Sequence, residues 1–232
     1  MKKIFLIIFA IIIGTTTAEA QPWWKTALVD GAGALGGAGS VMSFTGGIAA
    51  TTPIGWVGVG AGALVGGAGA SIAYAGNATP SKTKVKNNSN NPFDHVGIRH
   101  NLIVKDFHQT RVEYSDEKFI DFIEQNKSKY GIEENRYITV EYLREQGEKI
   151  NSLKSNEDFI NFVLNELPKE VDKNEFANFL NSVGNAKTLE KAIEKILNYE
   201  NDLAMTEMED VAKNNIFIFL TTLRNSTTLW FN

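Results

Sequence analysis

One stretch of sequence decides the fold: residues 31–81 read GAGALGGAGSVMSFTGGIAATTPIGWVGVGAGALVGGAGASIAYAGNATPS. The stretch contains no charged residue and no histidine, although 22% of the chain is charged, and it holds 15 of the 20 glycines. Flexible linkers are usually diluted with Ser, Asn or charged residues, whereas this stretch is rich in Ala, Val, Leu and Ile. It therefore predicts two apolar segments that pack closely together.

The stretch divides into two similar halves. The motif GAGALGGAG at residues 31–39 recurs as GAGALVGGAG at residues 60–69, with one valine inserted. Between the two motifs, the Pro and Gly of TTPIGW at residues 51–56 mark a turn. We predict a Gly/Ala-rich helical hairpin within residues 21–77.

Small residues recur every four positions in both arms of this hairpin. On a helix, such spacing forms a smooth stripe that lets two backbones approach closely, as helices do in lipid. Each glycine costs about 1 kcal/mol relative to alanine in a free helix, so the arms need a packed or lipid environment. The predicted helix-packing stripe comprises Ala32, Gly36 and Ser40, beside Gly33 and Gly37, in the first arm, and Gly58, Gly62, Gly66 and Ala70 in the second.

The lengths and flanks of the arms fit a membrane. As helices, residues 31–48 and 54–76 would rise roughly 27 and 34 Å, which is near the thickness of a bilayer core. Aromatic residues favour membrane interfaces. The hairpin would place at its interfaces Trp23, Trp24, Trp56 and Tyr74. Two alternatives stay open, namely a hairpin buried against the C-terminal part of the chain and a disordered low-complexity segment.

Residues 23–77 resemble the class II bacteriocins, which are small secreted peptides with Gly/Ala-rich apolar hairpins. The resemblance implies a membrane-active secreted segment, although this chain differs in its leader and in its large C-terminal part. The same residues are similar to glycine-zipper segments of envelope proteins. That similarity implies anchoring or oligomerisation.

The first 20 residues have the pattern of a secretory signal peptide. Lys2 and Lys3 precede an apolar run at residues 4–13, and Ala18-Glu19-Ala20 fits the small-x-small pattern of a cleavage site. Ten apolar residues fall short of the roughly 20 that span a bilayer, which argues against an uncleaved anchor. We predict cleavage after Ala20 and a secreted, periplasmic or envelope-associated protein.

Composition excludes several classes of function. The chain has no cysteine, so it offers no disulfide framework, no thiolate ligand or nucleophile, and no thiol to carry a lipid. From Gln21 onward the chain has 21 basic and 26 acidic residues, a net charge of −5. Nucleic acid is not an expected partner of an acidic chain whose basic residues are scattered.

Residues 78–91 are predicted to be a polar linker, and residues 92–232 an α-helical domain. Apolar residues recur there at helical spacing, so the predicted fold class is all-α, a hairpin followed by a multi-helix bundle. Residues 137–142 are β-branched enough for a strand, but residues 141–153 favour a helix. The predicted N-caps are Ser115, Ser155, Asp172 and Thr188, the predicted stops are Gly131, Pro168 and Gly184, and the last helix carries Met208, Val211, Ile216, Phe219, Leu220 and Leu223.

The one candidate for chemistry is the group Asp94, His95 and His100. His95 and His100 are five residues apart, about 140° round a helix, so they cannot face one metal ion. A structural role is favoured instead, in which Asn91 or Asp94 caps a helix. We predict no catalytic residue, no metal site and no cofactor.

The sequence thus predicts a secreted, non-enzymatic, membrane-associating protein whose hairpin inserts or oligomerises in a membrane. Its expected partners are a lipid membrane, further copies of itself through the hairpin, and a protein bound by the helical domain. Two other functions stay open: a non-lytic envelope anchor or interaction protein, and an exported helical enzyme or metal-binding protein.

Overall fold

A computed structural model describes residues 22–44, 53–76, 78–132 and 138–231. The all-α prediction is confirmed, because these residues form helices and no strand. The predicted signal peptide lies outside the described residues. The helices are α1 (Pro22–Phe44), α2 (Pro53–Ala75), α3 (Asp94–Thr110), α4 (Asp116–Tyr130), α5 (Val140–Ser152), α6 (Asn156–Glu166), α7 (Lys173–Gly184), α8 (Leu189–Met205) and α9 (Asp210–Trp230).

Helices α1 and α2 form the hairpin and pack more extensively on each other than any other pair of helices. Their contact is made by glycine backbones. A Cβ atom added to Gly37 would lie 2.1 Å from the carbonyl oxygen of Gly62, and one added to Gly66 would lie 2.5 Å from that of Gly33. Only a hydrogen atom fits at these positions, so no side chain separates the two helices.

The contact uses only part of the predicted stripe. Gly62, Gly66 and Ala70 of α2 face α1, but they meet Gly33 and Gly37 rather than the stripe of Ala32, Gly36 and Ser40. The two stripes of α1 are adjacent on the helix surface. The stripe of Ala32, Gly36 and Ser40 faces the helices that pack around the hairpin.

Gly36 shows that the stripe of Ala32, Gly36 and Ser40 faces away from α2. A Cβ atom there would lie 2.6 Å from the hydroxyl oxygen of Tyr142 in α5, while the Ser40 hydroxyl donates to the Gly36 carbonyl at 3.0 Å. On α2, Gly58 lies near Val41 of α1, 3.6 Å from its added Cβ to Cγ1.

The hairpin occupies the centre of the bundle instead of standing beside it. Helices α9 and α6 pack on α1, and α3 and α5 pack on α2. Aromatic and aliphatic side chains fill the space above the glycines: Phe219 lies over Gly31, and Leu143 and Phe119 lie over Gly69. The buried hairpin, left open by the sequence, is the arrangement found in this fold.

Side-chain caps begin four of the helices outside the hairpin, as predicted. Ser115, Ser155, Asp172 and Thr188 each accept a hydrogen bond from a backbone N–H of the first turn, and Ser155 forms a capping box with Asp158. These bonds satisfy donors that would otherwise lack partners. The predicted boundaries therefore agree with α4, α6, α7 and α8 to within about a turn.

Two boundaries differ from the prediction. Gly184 is the last residue of α7 rather than its stop, and α9 begins at Asp210, after Met208. The helix favoured for residues 141–153 is confirmed as α5, which begins at Val140 and is capped by Thr139 through the N–H of Tyr142. Tertiary packing of Leu143 and Ile150 outweighs the β-propensity of residues 138–142.

We expect Gly37→Ala to lower the free energy of unfolding by about 1–3 kcal/mol, because its methyl group must push α1 away from the Gly62 carbonyl. Gly39→Ala, in the same helix, is the matched control. No atom lies within 4 Å of its added Cβ, so the gain in helix propensity should raise stability by up to about 1 kcal/mol. Urea denaturation followed by circular dichroism measures both, and equal effects of the two substitutions would contradict the close backbone contact.

Candidate functional site

Asp30 is the sole acidic residue of the hairpin, and it lies at the start of the charge-free stretch. Its side chain is fully buried. One carboxylate oxygen, Oδ2, accepts hydrogen bonds from Ser71 Oγ at 2.9 Å, from Trp230 Nε1 at 3.2 Å and from Ser226 Oγ. This oxygen therefore joins α1, α2 and α9 at one point.

His100 of α3 brings a fourth helix to this cluster. Its Nε2 lies 3.7 Å from Asp30 Oδ2, and its Nδ1 lies 3.0 Å from the side-chain oxygen of Asn101. Burial raises the pKa of Asp30 to about 7 and lowers the pKa of His100 to about 4. The imidazole is neutral at pH 7, and both side chains are buried too deeply for a substrate to reach.

A second buried cluster centres on the ion pair between Arg224 and Glu200, both fully buried. Arg224 Nε lies 3.1 Å from Glu200 Oε2, and the same guanidinium also pairs with Asp94. The Glu200 carboxylate accepts further hydrogen bonds from the amides of Asn88 at 2.8 Å and Asn91 at 3.0 Å. Because its groups satisfy one another, this cluster fixes α3, α8 and α9 together.

The segment of residues 78–91 contains no helix and lies along α9. The backbone N–H of Ser81 donates to the Leu229 carbonyl at 2.8 Å, and Arg224 donates to the Lys86 carbonyl. With Asn88 and Asn91 held by Glu200, the segment is fastened at both ends.

The predicted cap of α3 is wrong. The N-cap is Phe93, with no side-chain cap, and Asn91 Oδ1 instead accepts the N–H of Phe93 at 2.9 Å. Asn91 and Asp94 are unavailable as caps because both serve the cluster around Arg224.

The group proposed for chemistry is not assembled in the fold. Asp94 faces Arg224, His100 faces Asp30, and His95 is exposed elsewhere on α3. Over the described ranges, no three His, Asp or Glu side chains come together in a way that could hold a metal ion.

The aromatic residues assigned to membrane interfaces pack against protein in this fold. Trp23 and Trp24 are buried; the ring of Trp23 lies 4.8 Å from that of Phe231. Tyr74 is half-buried, with its ring 5.6 Å from that of Phe159. The side chain of Trp56 lies outside the described residues.

Helix α2 is long and apolar enough to cross a membrane. The qualifying window is Gly58–Ala75, and 78% of it is buried inside the protein. A buried core helix has the same composition, so this window is weak support for a membrane span.

No protein-family model, no curated protein and no solved structure matches the chain.

Sequence reasoning missed the two buried clusters, although each leaves a signal. Asp30 is a lone acid next to a long apolar run, and Arg224 is the sole charged residue between residues 214 and 232. A single charge beside or within a long uncharged run of residues indicates a buried, paired group.

The Asp30 and His100 pair sets an expected pH dependence. The pKa of Asp30 is raised by folding, so its contribution to stability is present below pH 3.8 and is lost as the pH rises towards 7. The pKa of His100 is lowered, so its contribution is present above pH 6.5 and is lost as the pH falls towards 4. Between pH 4 and 6.5 the two contributions cancel in the wild type.

Single substitutions should reveal the two opposite effects of pH on the free energy of unfolding. Relative to wild type, we expect Asp30→Asn to lose about 3 kcal/mol of stability as the pH falls from 6.5 to 4. His100→Gln should instead lose stability relative to wild type as the pH rises over the same range. Urea denaturation across this pH series measures both, and parallel curves for all three proteins would refute the buried pair.

Proposed function

We propose that this is an exported, membrane-associating protein that stores an apolar hairpin inside a helical bundle. In this proposal the covering helices move away at a membrane, and the charge-free part of the hairpin, residues 31–76, enters or assembles in the lipid. The observation that carries the proposal is a closely packed helix pair, without a charged residue from Gly31 onward, at the centre of the helical bundle.

The contact between α1 and α2 supports movement of the hairpin as one unit. It consists of backbone approaches at Gly33 with Gly66 and Gly37 with Gly62, and it involves no covering helix. Beyond the polar cluster at Asp30, the covering contacts come from apolar side chains such as Phe219 and Leu143. Lipid tails can replace such side chains with little change in free energy, whereas water cannot.

The dimensions and the cover support the same proposal. Helices α1 and α2 have 23 residues each, which is about 34 Å of helix. Helix α5, which packs on α2, has the two faces that a detachable cover needs. Its Leu143 and Ile150 are buried while Arg144 and Glu148 are exposed.

Two engineered disulfides test the release of the hairpin, since the chain has no native cysteine. An added Cβ at Gly60 lies 3.8 Å from Val96 Cγ2, so Gly60→Cys with Val96→Cys should lock α2 to the covering helix α3. When oxidised, this variant should lose insertion into phosphatidylglycerol vesicles, and reduction should restore it. Quenching of tryptophan fluorescence by lipids brominated on their acyl chains measures insertion.

The matched control locks the hairpin to itself. An added Cβ at Gly58 lies 3.6 Å from Val41 Cγ1, so Gly58→Cys with Val41→Cys joins α2 to α1. Because the two helices are proposed to move together, this lock should leave insertion unchanged. Full insertion by the oxidised Gly60 and Val96 variant would show that the hairpin is not released.

Burial of most of the apolar window of α2 favours a second candidate, a non-lytic envelope anchor or interaction protein whose hairpin stays covered. Dye release from vesicles separates the two functions. Binding that is complete without leakage and without quenching supports the second candidate, whereas leakage together with quenching supports insertion.

A further inference from the structure

A groove with a volume of about 680 Å³ lies between the segment of residues 79–82 and the last turns of α3. Three cations line it: Lys82, Lys105 and Arg111. Gln109 and His108 add polar groups, and none of the described residues that line the groove is acidic. The groove therefore concentrates positive charge on a protein whose net charge is negative.

The three cations have no carboxylate partner among the described residues. Asp106, the nearest acid in sequence on α3, pairs instead with Lys129 at 2.7 Å and accepts a hydrogen bond from Tyr130 at 2.9 Å. Glu113 lines a neighbouring groove, which shares His108 and Arg111 with the first. Three positive charges outweigh the partial negative charge at the C-terminal end of α3.

The backbone at Arg111 is strained. Its φ of 57° makes it the sole non-glycine residue with positive φ among the described residues. Helices usually end in this conformation at glycine, because a Cβ atom raises its free energy. Strain of this kind is often kept where a side chain must be held in place, and Arg111 lines both grooves.

His108 supplies a second polar group that the fold leaves unused. Its Nε2 is buried and has no hydrogen-bond partner in the described part of the chain. The imidazole lines both grooves, and burial lowers its pKa. A bound anion would give this ring a partner and would favour its protonated form.

We propose that this groove binds the phosphate group of an anionic lipid. Lysine ammonium groups and the planar guanidinium of Arg111 are the side chains best suited to phosphate oxygens. Free phosphate shares this chemistry, and only the choice of lipid as its source rests on the proposed membrane function.

Exposed apolar side chains on α3 and next to Arg111 favour the lipid. Ile98 and Leu102 are 41% and 39% exposed, and their spacing puts them on the same face of α3 as Lys105. Val112, 45% exposed, follows Arg111 directly. A cationic groove flanked by exposed apolar side chains is the combination that binds to anionic membrane surfaces.

The test compares two variants of the chain from Gln21 to Asn232, which contains every described residue. Lys105→Gln with Arg111→Gly removes two groove cations, and glycine accepts the φ of 57° without strain. Lys187→Gln with Lys195→Gln removes two exposed lysines elsewhere and is the charge-matched control. In flotation with phosphatidylglycerol vesicles, we expect the groove variant to bind at least tenfold more weakly and the control to bind like wild type.

A second arm uses inorganic phosphate and the NMR signals of the three histidines, with His108→Gln to assign the ring of His108. Phosphate should shift the His108 signals of wild type and control but not of the groove variant. A shift with phosphate, but no wild-type binding to vesicles, supports a phosphate groove and overturns the lipid source and the membrane proposal together.

The remaining outcomes separate the two proposals. If the groove variant binds phosphatidylglycerol vesicles as tightly as the control does, the groove proposal is overturned and the membrane function stands. If phosphate and vesicles both leave the His108 signals unchanged, the groove proposal is likewise overturned.

Discussion

The approach of two backbones at Gly33, Gly37, Gly62 and Gly66 is the constraint on which the rest of the structure depends. With only hydrogen atoms between α1 and α2 at these four positions, most of the larger side chains of the hairpin point outward. A helix pair of this kind has no core of its own. In water its apolar outer surface would be exposed, which is unfavourable. The surrounding positions of α3, α5, α6 and α9 follow from this requirement, because each covers apolar surface that the α1–α2 pair cannot bury itself.

Buried polar groups then fix which helix lies where. Apolar packing on smooth glycine surfaces is poorly directional, whereas a carboxylate oxygen with three donors defines one arrangement. Asp30 joins residues from the two ends of the described chain, and Glu200 joins the linker to α9. Such clusters add little net stability but make alternative registers costly, since moving one helix would leave buried charges without partners.

Local structure was readable from the sequence, but tertiary placement was not. Ser115, Ser155, Asp172 and Thr188 were predicted as caps because capping depends on a few neighbouring residues. The position of the hairpin depends on distant residues: glycine stripes pack equally well in lipid or under protein, and the pattern in α1 allows two faces. Helix α9 shows the same limit, since its polar residues from Thr221 to Thr228 are buried against neighbouring elements.

The glycine contact between α1 and α2 also determines how copies of this chain can meet. The atoms that a second copy would use, the backbones of Gly37 and Gly62, are already occupied within one molecule. A partner joined in the same chain acts at an effective concentration on the order of millimolar, so a second copy at ordinary concentration cannot displace it. Exchange of hairpins between copies would therefore require that α1 and α2 first separate within one molecule, which is a unimolecular step. Raising the protein concentration would increase the amount of assembled product without making that first step any faster.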